Sequence, residues 1–331
     1  MQLLAECEQE LCERYGISFR ITGIASRRLG WITDANGLKV EKDVGRPPSA
    51  ASSQHHENSD VRSWLASARA DVLFEATSLN IETGQPAIDH IRAALEHGAH
   101  AITANKGPIV HAYRELRDLA AAGCPTLSRS LRKGGNKRFL FESTVMDGVP
   151  IFSLFDQLPA IHLQGFHGIL NSTTNVILSE MEQGLSFDEA LKKAQALGVA
   201  ETDATHDIDG WDAAVKTAAL VNVLMDYPIR LNEIAREGIR ELTTGAVRNG
   251  RRDGWPFKLV CRAKRVGDRV EASVAPEKVL GTSAMGKISG TSSYIYFETD
   301  IFPGLAITEE NPGVHATAYG MLADFVRAVR D

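Results

Sequence analysis

An aspartate and a lysine four positions apart are the pair in this sequence best suited to acid–base chemistry. Asp212 and Lys216 share one face of a helix predicted to begin near Gly210. Such a pair is ordinarily a surface ion pair, and that interpretation stays open. Here, however, five carboxylates occupy the twelve positions that lead into the helix: Glu201, Asp203, Asp207, Asp209 and Asp212. A lysine facing a carboxylate-lined cleft can help to bind the ammonium of a small amino acid and to move a proton.

The acidic run does not fit the common metal-binding patterns. An EF-hand loop needs oxygen ligands at alternate positions and a glutamate at position twelve, and a loop begun at Asp203 or Asp207 lacks them. His206 has no second histidine at ligand spacing. The sequence therefore favours acid–base chemistry over a calcium or transition-metal site here.

Length and composition narrow the class of protein. The chain has 331 residues, enough for about two domains. Its 36 basic and 42 acidic residues give a net charge of −6, which argues against a non-specific nucleic-acid partner. No stretch approaches the roughly 18 apolar residues of a membrane span, and the acidic N-terminus is unlike a signal or transit peptide. Cys7, Cys12, Cys124 and Cys261 form no CxxC pair, which indicates a reducing compartment, the cytoplasm.

The first half of the chain alternates apolar strands with helices. Strands are predicted at 17–26, 71–77, 100–105 and 138–144, with helices at 2–14, 60–70, 86–98 and 109–121. This alternation predicts an α/β domain built on a Rossmann-like, doubly wound parallel sheet, which binds ligands at the carboxyl ends of its strands. Residues 34–59 are predicted to form a long polar loop. Residues 125–137 form a basic insertion that is solvated or, alternatively, touches a phosphate.

The second half mixes hairpins with helices, which predicts an α+β domain. Ser186 and Glu189 match a capping box for a helix ending at Gly198, and Asp209 is predicted to cap the next helix. The other predicted elements are a strand at 159–170, a helix at 174–183, a hairpin turning at 267–268, a strand at 292–299 and a helix at 315–330. We predict a dinucleotide-binding domain over 1–157, with helix 315–331 packing back on it, and a catalytic and dimerisation domain over 158–314.

Residues 168–220 resemble the signature of the homoserine dehydrogenases. The matching segments are GILNSTTNVIL (168–178), AETD (200–203) and DIDGWDAAVK (207–216). Further resemblances in the same order are ITANKGP (102–108), FESTVMDGVP (141–150), GTSSYIYFETD (290–300) and NPGVHATAYGMLAD (311–324). The resemblance covers about residues 17 to 331, and several separated motifs in one order make it specific.

The resemblance implies reversible reduction of L-aspartate 4-semialdehyde to L-homoserine with NAD(P)H, a step of threonine and methionine biosynthesis. By position, Lys216 is then the general acid and Asp212 orients it. Glu201, helped by Asp207, binds the substrate's amino group, and Lys106 lies between substrate and nicotinamide. Hydride attack builds negative charge on the aldehyde oxygen, which ammonium groups stabilise. We therefore expect the amines of Lys106 and Lys216 to converge on that oxygen.

The resemblance also implies a cofactor site and a cation site. The cofactor-binding residues would be Ser26, Arg27, Arg28, Thr77, Ser78, Lys106 and Gly313, and arginines after the second strand of the nucleotide fold favour NADP over NAD. A monovalent cation, typically sodium, would be held by Glu142 and by the carbonyl groups of Val145, Asp147 and Val149. A tight turn that merely ends a strand is the alternative. A homodimer through the second domain is also implied.

One expected motif is missing from the sequence. The family opens with a strand and a GxGxxG turn that holds the pyrophosphate, and no GxGxxG occurs in the 331 residues. We interpret the chain as truncated before residue 1 and expect poor NADP(H) binding. Two classes therefore remain: a homoserine dehydrogenase, with activity weakened by this loss, or a non-catalytic relative that only binds.

Overall fold

The computed structural model describes residues 1–38, 54–56, 60–122 and 137–330, with the backbone alone for 54–56 and for residue 314. The chain divides into two compact units. Unit 1 comprises Met1–Pro108, Ala112–Thr144 and His315–Asp331, and unit 2 comprises Ile109–His111 and Val145–Val314. No helix in the described part of the chain has the length and apolar character needed to cross a membrane.

Unit 1 contains a parallel sheet in the order β4-β5-β6, formed by Val72–Glu75, His100–Thr103 and Phe139–Leu140. The helices α3 (Val61–Ala68), α4 (Ala87–His97) and α5 (Gly107–Ala122) alternate with these strands. Parallel pairing with helical connections is the arrangement that the sequence predicts for an α/β domain. The strand predicted at 138–144 is shorter than expected, because a 3-10 turn follows over Glu142–Thr144.

The two ends of the described chain meet in one apolar cluster of unit 1. The short helices α1 (Gln2–Glu6) and α2 (Glu8–Tyr15) contribute from the N-terminal end, and α12 (Val314–Arg330) contributes from the C-terminal end. Its buried members are Leu11, Ile17, Ile102, Leu322, Phe325 and Ala328. Because Ile102 belongs to β5, the cluster packs the terminal helices against the parallel sheet.

The region predicted as one strand over 17–26 folds differently, so that prediction was wrong. Only Gly23–Ser26 (β1) is a strand, and it pairs antiparallel with Gly30–Thr33 (β2). Gly30 adopts a φ of 70°, so the chain reverses directly after β1 and pairs with its own continuation. The indole of Trp64 donates to the carbonyl of Ile32 at 3.1 Å and ties this hairpin to α3.

The predicted loop 34–59 also contains a strand. Gln54–His56 (β3) pairs antiparallel with β2, giving a three-stranded sheet in the order β1-β2-β3. Residues 39–53 and 57–59 of the predicted loop, and 125–136 of the predicted basic insertion, lie outside the described residues.

Unit 2 is built on a six-stranded sheet in the order β12-β11-β7-β9-β10-β8. The strands are β7 (Leu163–Ile169), β8 (Ala235–Arg236), β9 (Phe257–Val266), β10 (Arg269–Lys278), β11 (Ser293–Thr299) and β12 (Leu305–Glu309). The predicted hairpin is β9–β10, and β12 was not predicted. β7 and β11 approach closely at Gly168, where a Cβ atom would lie 2.3 Å from the carbonyl oxygen of Tyr294.

The helices of unit 2 are α6 (Phe152–Asp156), α7 (Ser172–Glu182), α8 (Phe187–Ala196), α9 (Thr205–Ile208), α10 (Trp211–Leu224) and α11 (Thr244–Arg252). The predicted capping box of Ser186 and Glu189 is confirmed at α8. The predicted cap of α10 by Asp209 is wrong. Gly210 occupies the N-cap with a φ of 79° and no side-chain cap, while the Asp209 carboxylate bonds to Arg240 at 2.8 Å.

Candidate active site

The amine of Lys216 lies among polar groups in unit 2. Its Nζ donates to the carbonyl oxygen of Leu170 at 2.6 Å and lies 3.1 Å from a carboxylate oxygen of Asp212. Only 16% of the lysine side chain and 19% of the aspartate side chain are exposed. The pair is therefore not the solvated ion pair that its spacing alone would suggest, and the ammonium is held from two elements at once.

Asp207, at the end of α9, shares a hydrogen-bond donor with Asp212. The side-chain amide nitrogen of Asn171 donates to Asp207 at 2.7 Å and to Asp212 at 3.0 Å. The structure thus brings together Lys216, Asp212 and Asp207 as the sequence predicts. It adds Asn171, which was not predicted as a site residue although it stands inside the motif GILNSTTNVIL.

The pKa values of Lys216 and Asp207 are both raised above their ordinary values. Burial lowers the pKa of the Lys216 amine, but the nearby charges of Asp212, Asp147 and Asp207 outweigh it and the pKa is raised. Burial and the charge of Asp212 raise the pKa of Asp207, opposed by the hydrogen bond from Asn171. The arrangement keeps Lys216 protonated, as a general acid requires.

A further carboxylate near Lys216, that of Glu309, was not predicted from the sequence. One oxygen of Glu309, at the end of β12, is buried with no hydrogen-bond partner. Burial first, and then the charge of Asp147, raises the pKa of Glu309 to about 7, while Lys216 lowers it. Glu309 is the single acidic residue of a strand that was itself not predicted, so it gave no recognisable signal.

Two other predicted residues lie at exposed or half-buried positions. Glu201 follows α8 with an exposed side chain, and its carbonyl oxygen accepts a bond from the Gln195 side chain at 3.2 Å. Lys106 is half-buried in unit 1, in the turn between β5 and α5. The predicted roles of both residues stay predictions.

In unit 1, a buried carboxylate organises the carboxyl ends of β4 and β5. Glu75 is 2% exposed and accepts bonds from the backbone N–H of Thr77 at 2.9 Å and the hydroxyl of Thr103 at 2.8 Å. Burial raises the pKa of Glu75, but the hydrogen bonds from His90, Thr77 and Thr103 outweigh this effect, so the pKa lies below its ordinary value. These are the strand ends at which a doubly wound sheet binds its ligand.

The same strand ends are joined by Asn105. Its amide donates to the carbonyl of Thr77 at 3.0 Å and, at 3.4 Å, to that of Ser78, while its oxygen accepts from Gly107 at 2.9 Å. The side chains of the two predicted cofactor residues, Thr77 and Ser78, remain exposed. The Thr77 hydroxyl donates to the Glu75 carboxylate, and Asn105 fixes the backbone carbonyls of both residues.

The remaining predicted cofactor residues lie on exposed turns. Arg27 and Arg28 occupy the turn of the β1–β2 hairpin, and the hydroxyl of Ser26 accepts from the N–H of Leu29 at 3.0 Å. The premise that they follow the second strand of a parallel sheet is wrong, because β1 is antiparallel. Gly313 is exposed in unit 2, with nothing within 4 Å of an added Cβ.

The predicted cation ligands have other contacts in the structure. In unit 1, Glu142 is 3% exposed and lies 3.4 Å from Arg327, and its N–H donates to Asp324 at 2.8 Å. In unit 2, Asp147 has a φ of 47°, and the carbonyl of Val149 accepts from Ile151 at 2.8 Å. Val145 is buried. Within the described ranges, no group of three or more His, Cys, Asp or Glu side chains is arranged to hold a metal ion.

A parallel α/β unit with polar groups fixed at its strand ends, in one chain with a largely buried lysine–carboxylate cluster, is compatible with a pyridine-nucleotide-dependent oxidoreductase. Two family models agree with this class. The homoserine dehydrogenase model matches residues 150–326, and the model of the homoserine dehydrogenase NAD binding domain matches residues 1–127. The chain belongs to the homoserine dehydrogenase family of oxidoreductases.

Individual relatives support this membership. An NAD(+)-dependent homoserine dehydrogenase from Pseudomonas canavaninivorans is 32% identical over 98% of this chain and 91% of its own length. A homoserine dehydrogenase from Methanocaldococcus jannaschii is 31% identical over 89% of this chain and 87% of its own. A crystal structure of the S. aureus homoserine dehydrogenase at pH 8.5 covers 99% of this chain and 72% of its own, with 28% identity and a TM-score of 0.74.

Proposed function

We propose that this chain catalyses the reversible reduction of L-aspartate 4-semialdehyde to L-homoserine, as a step of threonine and methionine biosynthesis in the cytoplasm. The observation that supports the proposal is the position of the Lys216 ammonium, 2.6 Å from the Leu170 carbonyl oxygen and 3.1 Å from Asp212. All three residues lie in the part of the chain that the homoserine dehydrogenase model matches. The free thiols of Cys7, Cys12 and Cys261 agree with a reducing compartment.

Lys216 acts as the general acid of the reduction. As hydride reaches the carbonyl carbon, the carbonyl electron pair moves to oxygen, and the Lys216 ammonium gives that oxygen a proton and becomes a neutral amine. In the oxidation direction the neutral amine takes the hydroxyl proton. Asp212 orients the amine, and Lys106 supplies a second positive charge to the oxygen.

Carboxylates bind the other end of the substrate. The substrate carries an α-ammonium group, for which Glu201 and Asp207 are the proposed partners. An ionised carboxylate and an ammonium form a charge-assisted hydrogen bond. Substitution of Glu201 by Gln should therefore raise KM for homoserine more than it lowers kcat.

The cofactor is a nicotinamide dinucleotide, which supplies or accepts the hydride when bound. Thr77 and Ser78 fit such a ligand, since both residues are exposed at the end of β4, where a parallel sheet binds a dinucleotide. The Thr77 hydroxyl donates to Glu75, so it can offer the ligand only an acceptor. We propose NADP as the preferred form because Arg27 and Arg28 present two exposed guanidinium groups that suit a 2′-phosphate, although the strand before them is antiparallel. The NAD(+)-dependent relative makes NAD preference the competing outcome.

A monovalent cation, typically sodium, is proposed at Glu142 with the carbonyl groups of Val145, Asp147 and Val149. The Arg327 contact partly balances the charge of Glu142, which suits a singly charged ion better than a divalent one. The proposal predicts higher activity in sodium than in choline chloride at equal ionic strength.

A homodimer through the unit 2 sheet is proposed as well. One row of directly paired residues crosses five strands: Ala306, Tyr296, His167, Arg262 and Ser273. Side chains in such a row share one face of the sheet. The rings of His167 and Tyr296 stack at 4.9 Å, and the residues of the row are half-buried or exposed. Sedimentation velocity should give a dimer, and a monomer would refute this part.

The decisive experiment is an activity assay of the full chain. Purified protein is mixed with L-homoserine and NADP+ or NAD+, and reduced cofactor is followed at 340 nm. Homoserine-dependent reduction supports the proposal, with a higher kcat/KM for NADP+ that falls in Arg27→Ala/Arg28→Ala. Calorimetry with NADPH separates the causes of inactivity. Tight binding without turnover would favour the non-catalytic alternative, and no binding would agree with the effect expected of a missing glycine-rich turn.

A further inference from the structure

The carboxamide of Asn171 has all of its hydrogen-bonding capacity engaged. Its nitrogen donates to Asp207 at 2.7 Å and to Asp212 at 3.0 Å. Its oxygen accepts from the backbone N–H of Thr174 at 2.8 Å and from the Thr174 hydroxyl at 2.8 Å. An amide offers two N–H donors and two lone pairs, so each is used once. The side chain is buried, with a residue exposure of 4%.

These contacts leave the amide one possible orientation. A flipped amide would place its oxygen against two carboxylate oxygens and its nitrogen against the N–H of Thr174. Because Asn171 is the N-cap of α7, the start of that helix fixes the direction in which the two N–H groups point. The helix thus aims a double donor at Asp207 and Asp212.

The residue before Asn171, Leu170, contacts the positively charged group of the cluster, the Lys216 ammonium. The carbonyl of Leu170 accepts from the Lys216 amine at 2.6 Å, and Asp212 lies 3.1 Å from the same amine. Two consecutive residues between β7 and α7 therefore contact both sides of the ion pair. The backbone carbonyl holds the ammonium, and the side-chain amide holds the carboxylate that faces it.

We propose that Asn171 is a positioning residue of the dehydrogenase reaction, which holds Asp207 and Asp212 close together as carboxylates and so fixes the Lys216 ammonium toward the substrate. This inference rests on the proposed function and assigns a role within the same site. Two carboxylates that accept from one nitrogen repel each other, and a shared neutral donor offsets that repulsion without adding a competing charge.

The titrating groups near the cluster come from several elements of unit 2. Asp207 faces Asp212, Lys216, Asn171 and Thr173. Lys216 faces Asp212, Asp147 and Asp207, and its charge also reaches Glu309 and Cys261. Asn171 lowers the pKa of Asp207, against the effect of burial and of Asp212. Loss of its donors therefore raises the pH at which Asp207 loses its charge.

The test variant is Asn171→Ser. Serine is as good an N-cap as asparagine, so the start of α7 keeps its cap while the amide donors are lost. Asn171→Ala, which removes cap and donors together, measures the structural contribution. Asn249→Ser makes the same substitution at an exposed position of α11 and serves as the matched control.

Asn171→Ser should lower kcat by roughly 10- to 100-fold, because the general acid is misplaced. KM for the cofactor should stay unchanged. The acidic limb of the kcat/KM profile should move up by about one pH unit, because a lost hydrogen bond to a carboxylate raises its pKa. A merely structural cap, which serine preserves, would not move that limb. Asn249→Ser should match the unsubstituted chain in all three measurements.

A second readout is independent of turnover. The side-chain Cε resonance of Lys216 is followed by NMR in protein labelled with ε-13C lysine and assigned from its absence in Lys216→Met. Its titration midpoint should be lower in Asn171→Ser, since the two carboxylates, no longer held by one shared donor, move apart and stabilise the ammonium less. An unchanged midpoint, or an active Asn171→Ser variant with an unchanged acidic limb, would overturn the inference. Absence of homoserine oxidation in the unsubstituted chain would instead refute the proposed function, and the NMR titration would still test the role of Asn171.

Discussion

Two lysines of unit 2 are both withdrawn from water, but their surroundings differ in charge. Lys216 on α10 contacts a carboxylate at 3.1 Å. Lys258 on β9 is only 1% exposed, and its amine donates to neutral oxygens, those of the Asn175 side chain at 3.2 Å and the Ile288 carbonyl at 2.5 Å. Both lysines are largely buried, but only Lys216 has a carboxylate in direct contact with its amine.

The two pKa shifts have opposite signs as a result. Carboxylates raise the pKa of Lys216 despite its burial. Burial lowers the pKa of Lys258, with Arg251 adding to that effect and Glu182 opposing it. Neutral acceptors satisfy an ammonium's hydrogen bonds without repaying the loss of hydration. We infer that Lys216 serves proton transfer, whereas Lys258 ties the 288–290 segment to α7, helped by the bond from Asn175 to the Gly290 carbonyl at 2.9 Å.

The largest effect is expected from Lys216→Met. It should lower kcat by about 10²- to 10⁴-fold, the usual contribution of a general acid, and it should also lower the melting temperature, because the Leu170 carbonyl and Asp212 lose their donor. Steady-state assays and thermal unfolding measure the two quantities. Lys264→Met, at an exposed position of β9, is the control and should alter neither. A Lys216→Met variant with normal kcat would exclude Lys216 as the acid.

Asp212→Asn makes the surroundings of Lys216 more like those of Lys258. Without the negative charge, the protonated amine loses stabilisation and its pKa falls. The amine then loses its proton at lower pH, and the alkaline limb of the kcat profile in the reduction direction moves down by about 1–3 units. Residual activity measured between pH 6 and 10 checks this. An unmoved alkaline limb would contradict the assigned source of the Lys216 shift.

Lys258→Met should act on stability instead. Each buried acceptor left without a donor costs about 1–3 kcal/mol, partly offset because no ammonium is then buried. We expect a net loss of about 1–3 kcal/mol in the free energy of unfolding, measured in urea, with kcat of the folded protein within a few-fold of the original. The same substitution at Lys264 should stay within about 0.5 kcal/mol. A large fall in kcat with unchanged stability would reverse the assignment.

The smallest effect concerns Cys261, which follows Lys258 in β9 by three residues. It is fully buried, and burial raises its pKa to about 11. The native thiol should resist Ellman's reagent at pH 8 while the exposed Cys12 reacts, and both should react in urea. Rapid native reaction of Cys261, identified by mass spectrometry, would show that the strand opens locally.

The contrast between the lysines also marks what the sequence can predict. Lys216 was identifiable because charged neighbours stand at short spacings in the chain, as in DIDGWDAAVK. Lys258 carries no such signal, since its partners Asn175 and Ile288 are distant in sequence. Asn171 lay in a recognised motif, but its contacts to Asp207 and Asp212 depend on how β7, α9 and α10 pack.

The fold shows the same limit. Helices with end signals, such as α8 with Ser186 and Glu189, were predicted correctly because a cap is a local bond. The strand at 17–26 was misplaced, since an apolar pattern does not specify whether a strand pairs parallel or with its own continuation. Asp209 resembles a cap in sequence, yet the tertiary contact with Arg240 takes its carboxylate.

The close approach of β7 and β11 at Gly168 affects the position of the Leu170 carbonyl, which contacts the Lys216 amine. Any side chain there would meet the Tyr294 carbonyl and push β7 away from β11. Leu170 lies two residues further on, so its carbonyl would be carried along and drawn out of reach of the amine it now holds. A single methyl group at residue 168 would thus weaken the hydrogen bond between the Leu170 carbonyl and the Lys216 amine without touching any charged group of the cluster.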